Sequence, residues 1–73
     1  MEDNKLYSMI NIAKDNLLGN IPEYLKLSRR RMLVRDMVDS GVLAGIPQYK
    51  VGQYIAFLGS DLKKLKKELK NNK

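Results

Sequence analysis

Tyr49-Lys50-Val51-Gly52-Gln53-Tyr54-Ile55-Ala56-Phe57-Leu58 is the stretch that decides the fold. Tyr49 and Val51 share one face of an extended strand, Ile55 and Phe57 share one face of the next, and Gly52-Gln53 is the turn between them. Gly45 and Pro47 mark an irregular entry. A two-stranded hairpin of roughly a dozen residues is not stable alone in water, so it must pack on the rest of the chain.

What flanks the hairpin is helical. Downstream, Gly59-Ser60 opens a helix with Ser60 as N-cap and Asp61 in the first turn. Leu58, Leu62, Leu65 and Leu69 make one narrow apolar stripe, with Lys63, Lys64, Lys66, Lys67 and Lys70 off it. The stripe lasts under two heptads, so it reads as core and not as a coiled coil. Asn71-Asn72-Lys73 is expected to fray.

Upstream, Leu6-Tyr7 suggests a short leading strand, and Ser8 caps a helix from Met9. Met9, Ile12, Ala13 and Leu17 fall at helical spacing, and Gly19-Asn20 is expected to stop this helix after about three turns. Ile21-Pro22-Glu23 restarts a helix. One reading runs a single helix from Pro22 to Asp39. The other ends a short turn near Leu27 and lets Ser28 cap a new helix at Arg29. Leu33, Val34, Met37 and Val38 form an inward face that, continued backward, meets Arg29 and Arg30, which favours the break. Ser40-Gly41 ends the helix, with Gly41 as the C′ residue. Met9, Met32 and Met37 read as core filler.

With 73 residues and no internal repeat or linker, the chain reads as one domain over 1–73, with frayed ends. It has no Cys and no His, so a disulfide scaffold, a Cys/His zinc site and a His- or Cys-dependent triad are excluded. No apolar run reaches the roughly 18 residues of a membrane span, and Met1-Glu2-Asp3-Asn4 is no signal peptide. The expectation is a cytoplasmic protein that needs no cofactor and performs no catalysis.

Fourteen Lys and Arg against eight Asp and Glu give a net charge of +6 and suggest a polyanionic partner. Every Arg lies between 29 and 35, while six Lys lie in residues 60–73. The difference matters because Arg makes bidentate contacts with phosphate and guanine, whereas Lys is a flexible point charge. Ser28, Arg29, Arg30, Arg31 and Arg35 are the candidate residues of a recognition helix, with 31 and 35 one turn apart. Lys50, Gln53 and Tyr54 are the candidate contacts of the hairpin. Lys26, Lys63, Lys66 and Lys67 are candidate phosphate or partner contacts. The bland alternative is a solvated Arg face with Asp36 and Asp39 as partners, an ordinary hairpin, and a solvated Lys face. Glu23, Asp36 and Asp39 show no catalytic spacing.

Several short motifs then fall in order. Ser40-Gly41-Val42-Leu43-Ala44, Tyr49-Lys50-Val51-Gly52 and Ser60-Asp61-Leu62 resemble the "SG-x-L-P-A", "K-V-G" and "S/E-D-L" pattern of small winged-helix domains of the excisionase and MerR type. Tyr24-Leu25-Lys26-Leu27-Ser28-Arg29-Arg30 looks like the entry to their recognition helix, and Tyr7-Ser8-Met9 before Ile12-Ala13 looks like the start of MerR-like chains. The resemblance covers residues 7–69. The segment from Ser28 to Gly41 is longer than in that pattern, Ile46-Pro47-Gln48 lengthens the hairpin entry, and the hairpin tip carries Gln53-Tyr54 where Gly-Arg is frequent.

The resemblance implies an α+β winged helix-turn-helix: two to three helices, a two-stranded hairpin wing and a C-terminal helix. It implies double-stranded DNA as partner, with one helix in the major groove and the wing on the backbone or minor groove. It further implies an excisionase-like factor of a phage or mobile element that bends DNA and directs excisive site-specific recombination with an integrase and neighbouring copies of itself. A MerR-like transcriptional regulator is the alternative, and the few residues after Asp61 weigh against the long dimerisation helix of that group. A third reading takes Leu33-Val34-Arg35-Asp36-Met37 and Ser40-Gly41-Val42 as resembling the dimerisation helices of a sporulation regulator, which makes the chain a helical anti-repressor or adaptor. The strand period of residues 49–57 counts against it. Membrane-surface binding by the Lys/Leu helix is disfavoured because its stripe is narrow and lacks aromatics.

Overall fold

The computed structural model describes residues 1–71. Strand β1 (Leu6–Ser8) leads into helix α1 (Met9–Lys14) and helix α2 (Leu27–Ser40). A 3₁₀ turn (Val42–Gly45) precedes strands β2 (Tyr49–Val51) and β3 (Tyr54–Leu58), and helix α3 (Gly59–Asn71) follows. The class is α+β: three α-helices and one three-stranded antiparallel sheet of order β1-β3-β2.

The hairpin forms as its alternation dictates. Val51 pairs with Tyr54 across Gly52-Gln53, and Gly52 has φ +61° while Gln53 stays out of the left-handed region. That is the signature of a II′ turn, whose twist suits a two-residue hairpin. Register assigns the faces. Tyr49 and Val51 stand opposite Ala56 and Tyr54 on the outer face, while Phe57 stands opposite Tyr7 on the inner one. Phe57 is fully buried and anchors β3 in the core.

That core collects Ile12 and Ala13 of α1, Leu18 and Ile21 of the following loop, Val34 and Val38 of α2, Leu43 of the 3₁₀ turn, and Leu62 and Leu65 of α3. One contiguous cluster serves every element but β2, whose three residues are exposed. Burying a large apolar side chain contributes about 1.5–3 kcal/mol, so a chain of this size depends on each of them. No buried side-chain polar atom among the described residues lacks a hydrogen-bond partner.

Several helix ends differ from the sequence expectation. Helix α1 stops at Lys14, well before Gly19. Asn16 adopts φ +48°, and its side chain accepts from Ile21 N–H (3.1 Å) and donates to Ile21 C=O (2.9 Å). The Leu17 N–H closes the helix on Ile12 C=O, the six-to-one bond of a Schellman-type end. At the other end Ser8 does cap α1, in a capping box with Asn11.

The chain does break before α2, but Ser28 is not its cap. Lys26 is the N-cap residue and offers no side-chain bond, so Ser28 sits inside the first turn. Gly41 is the C-cap with φ −107°, outside the left-handed region. Helix α3 begins at Gly59, so Ser60 is likewise inside the first turn and not the N-cap. Its first N–H groups are satisfied by the N-terminal segment: Gly59 donates to Lys5 C=O (2.8 Å) and Ser60 to Asp3 C=O (3.1 Å). A Cβ at Gly59 would run into the Glu2 carbonyl, so only glycine admits this strap.

The N-terminal end is therefore tied and does not fray as expected. Met1 packs against the core, Glu2 N–H donates to the Tyr7 hydroxyl (2.8 Å), and Asp3 pairs with Lys63 (2.9 Å). Asn71 closes α3, and the fraying expected at Asn72 and Lys73 lies outside the described residues. No helix among the described residues is long and apolar enough to cross a membrane.

Candidate nucleic-acid interface

Helix α2 turns Val34 and Val38 into the core. Helical periodicity then directs Ser28, Arg31, Met32 and Arg35 outward along one stripe, because residues three and four apart are neighbours. Beside that stripe lies the hairpin tip. Ser28, Arg31 and Arg35 of α2 and Gln53 and Tyr54 of the hairpin line one groove of about 580 Å³. Five of the eight residues expected to form the recognition helix and wing therefore share one concave surface.

The arginines divide into two roles. Arg30 is half-buried, and its guanidinium is occupied by three main-chain carbonyls: Nε donates to Leu25 (2.9 Å), Nη1 to Lys14 (3.2 Å) and Nη2 to Glu23 (2.7 Å). It ties the end of α1 and the 22–25 turn to the first turn of α2. Arg29, Arg31 and Arg35 are exposed and have no carboxylate partner among the described residues. Asp36 and Asp39 do not pair with them, so the bland reading of a self-neutralised face loses its partners.

The other expected contacts lie apart. Arg29 is exposed on α2 but does not line the groove. Lys50 is exposed on β2, opposite Ile55, and also stands outside the groove lining. Lys26 is the residue before α2. On α3, Lys63 is bound to Asp3. The Lys66 stem runs past Gly19, where a Cβ would meet its Cε at 3.9 Å. Lys67 is exposed.

Sequence reasoning missed the apolar part of the groove. Ser8, Met9 and Ile10 at the start of α1, with Met32 and Ile55, complete its lining. Met32, expected in the core, is 59% exposed. The signal was present in its spacing: Met32 is four residues from Ser28 and three from Arg35, on their face of the helix and not on that of Val34 and Val38. Met9 and Met37 do pack against the core as expected.

An open groove walled by unpaired guanidinium groups and floored by apolar side chains can bind a polyanion that also presents flat or methyl-bearing surfaces. No group of three or more Asp or Glu that could hold a metal occurs among the described residues. Comparison with family models, with curated proteins and with solved structures returns no match.

Proposed function

We propose that this chain is a small winged helix-turn-helix protein that binds double-stranded DNA. Helix α2 is the recognition helix, entering the major groove with Arg31 and Arg35. The β2–β3 hairpin is the wing, with Gln53 and Tyr54 at the backbone beside it. The reading is carried by one observation: the groove that unites Ser28, Arg31 and Arg35 with Gln53 and Tyr54, its arginines free of carboxylates. The sheet order β1-β3-β2 and the two-residue hairpin suit such a wing. Arg30 is left out of base reading, since its donors are occupied.

Within that reading the chain acts as an excisionase-like accessory factor. It bends DNA near an attachment site and directs excisive recombination with an integrase and neighbouring copies. This role rests on the motif order from Ser40-Gly41 through Val51-Gly52 to Asp61-Leu62. Gripping a helix-width groove and the adjacent backbone offsets the few kcal/mol that a bend costs. Strands β2 and β3 argue against an all-helical dimerisation module.

A salt-titrated gel shift tests it, with duplexes taken from beside the gene and the wild-type protein set against an Arg31→Ala/Arg35→Ala double variant. Binding that falls with salt, prefers a sequence and is lost in the double variant is expected, since charge neutralisation gives a steep salt slope. Binding by the double variant at wild-type strength would remove α2 from the interface. Laddered complexes distinguish an excisionase-like array from a simple repressor.

A further inference from the structure

The groove holds a feature that phosphate binding does not account for. Met32 stands 59% exposed between Arg31 and Arg35 on the outward stripe of α2. Ile10, 38% exposed, and Tyr54, 61% exposed, extend the apolar surface around it. Methionine at this place is neither buried in the core nor bonded to a neighbour. A thioether gains nothing from a phosphate oxygen, and a solvated helix face gains nothing from Met, Ile and Tyr gathered in one concavity. The edges of base pairs in the major groove present one apolar group, the C5-methyl of thymine. Methionine is long, unbranched and polarisable, and so suits a small methyl at an irregular surface.

We infer that α2 reads a thymine methyl through Met32, beside a guanine held by Arg31 or Arg35. The inference rests on the reading of α2 as the recognition helix and narrows it to a base pattern. Four residues of α-helix from Arg31 to Arg35 advance about 6 Å. Successive bases on one strand are about 3.4 Å apart. The thymine therefore lies within two base steps of the guanine. Charge complementarity selects a nucleic acid as occupant, because the three exposed arginines of α2 have no acidic partner among the described residues. The apolar floor selects the major groove over the backbone alone.

The test begins with selection of bound duplexes from a random-sequence pool, followed by resynthesis of the best one with deoxyuridine replacing thymidine at single positions. That exchange removes one methyl and leaves every hydrogen-bonding group in place. At one position the wild-type protein should lose about fourfold in affinity, the worth of one buried methyl-sized group. The Met32→Ala and Met32→Gln variants should bind the thymidine and deoxyuridine duplexes equally. Both should keep the wild-type circular dichroism, because Met32 is outside the core.

Four outcomes are distinguishable. A thymine preference in the wild type that both variants lose supports the inference. Equal binding of thymidine and deoxyuridine duplexes by the wild type overturns it, while salt-sensitive binding through Arg31 and Arg35 keeps the DNA reading. A thymine preference that persists in Met32→Ala overturns the assignment to Met32. Absence of duplex binding at low salt overturns this inference together with the function on which it rests.

Discussion

Helices α2 and α3 are both basic, and they use their charge differently. Helix α3 puts its apolar side chains inside: Leu62 and Leu65 are buried and Leu69 half-buried, while Lys63, Lys64, Lys66, Lys67 and Lys70 are exposed. One of those lysines is already spent on Asp3 and another lies along Gly19. Helix α2 buries only Val34 and Val38 and leaves Leu27, Met32 and Leu33 substantially exposed beside its arginines. A solvated helix sorts apolar from charged; an interface mixes them. By that measure α3, with more positive charge, resembles a solvated face, and the proposed interface falls on α2, with fewer cations but apolar neighbours and a concave setting. Counting charge alone would point to α3 instead.

The comparison needs both helices to stand on one core, and the largest expected effect tests that. Phe57 is fully buried on β3, against which α3 packs, in the same cluster as Val34 of α2. Phe57→Ala should lower unfolding free energy by about 3–5 kcal/mol. Denaturant unfolding followed by circular dichroism should give one transition, shifted as a whole. Separate melting of two helical populations would show that α2 and α3 belong to different cooperative units, and the contrast between them would lose its common frame.

Next in size is the division among the arginines. Arg30 serves three carbonyls, and hydrogen bonds to a charged group contribute about 1.5–3 kcal/mol. Arg30→Ala should therefore destabilise the fold by roughly that amount, visible as a lower melting temperature. DNA affinity, measured well below that temperature, should change little. Arg31→Ala should do the reverse, costing about 1–3 kcal/mol of specific binding if it reads a base, with stability within about 0.5 kcal/mol of wild type. A fluorescence anisotropy titration and a melting curve on the two variants decide this. If Arg30→Ala weakened binding as much as Arg31→Ala at equal folded fraction, the interface would have to be extended around the helix toward the 22–25 turn.

These contrasts also show which parts of the molecule could be read along the chain. The hairpin was readable because its signals are local: alternation over Tyr49–Val51 and Ile55–Phe57, and a glycine where a two-residue turn demands positive φ. The leucine stripe of α3 and the Ser8 cap of α1 were readable for the same reason. The helix ends that went astray are those fixed by groups far away or by an unexpected side chain. The start of α3 is closed by carbonyls of Asp3 and Lys5, more than fifty positions earlier, and so Ser60 was free to be an ordinary first-turn residue. Helix α1 ends early because Asn16 prefers the main chain of Ile21. Arg30 looked like one of four equivalent cations, and only its tertiary partners separate it from Arg31. The arginine cluster itself was readable; the apolar floor beside it was not, because Met32 read as core until the direction of Val34 and Val38 is known.

The smallest expected effect bears on α3 itself. Lys64 and Lys67 are exposed, three residues apart on one face, and neither has an acidic partner among the described residues. If α3 is only a solvated face, replacing both with Gln should leave the preferred DNA sequence unchanged. It should weaken binding to every duplex by the same modest factor, through loss of long-range attraction. The salt slope separates this from contact. A lysine seated on a phosphate contributes about one unit of slope, because it displaces a condensed counterion. A lysine that acts at a distance contributes less. Titrating the Lys64→Gln/Lys67→Gln variant against salt should therefore give a slope within one unit of wild type. The Arg31→Ala/Arg35→Ala variant should lose the sequence preference as well as slope. A drop of two units in the lysine variant would mean that α3 touches the backbone directly. The footprint would then extend from the groove of α2 to α3, and the DNA would have to bend to reach both helices.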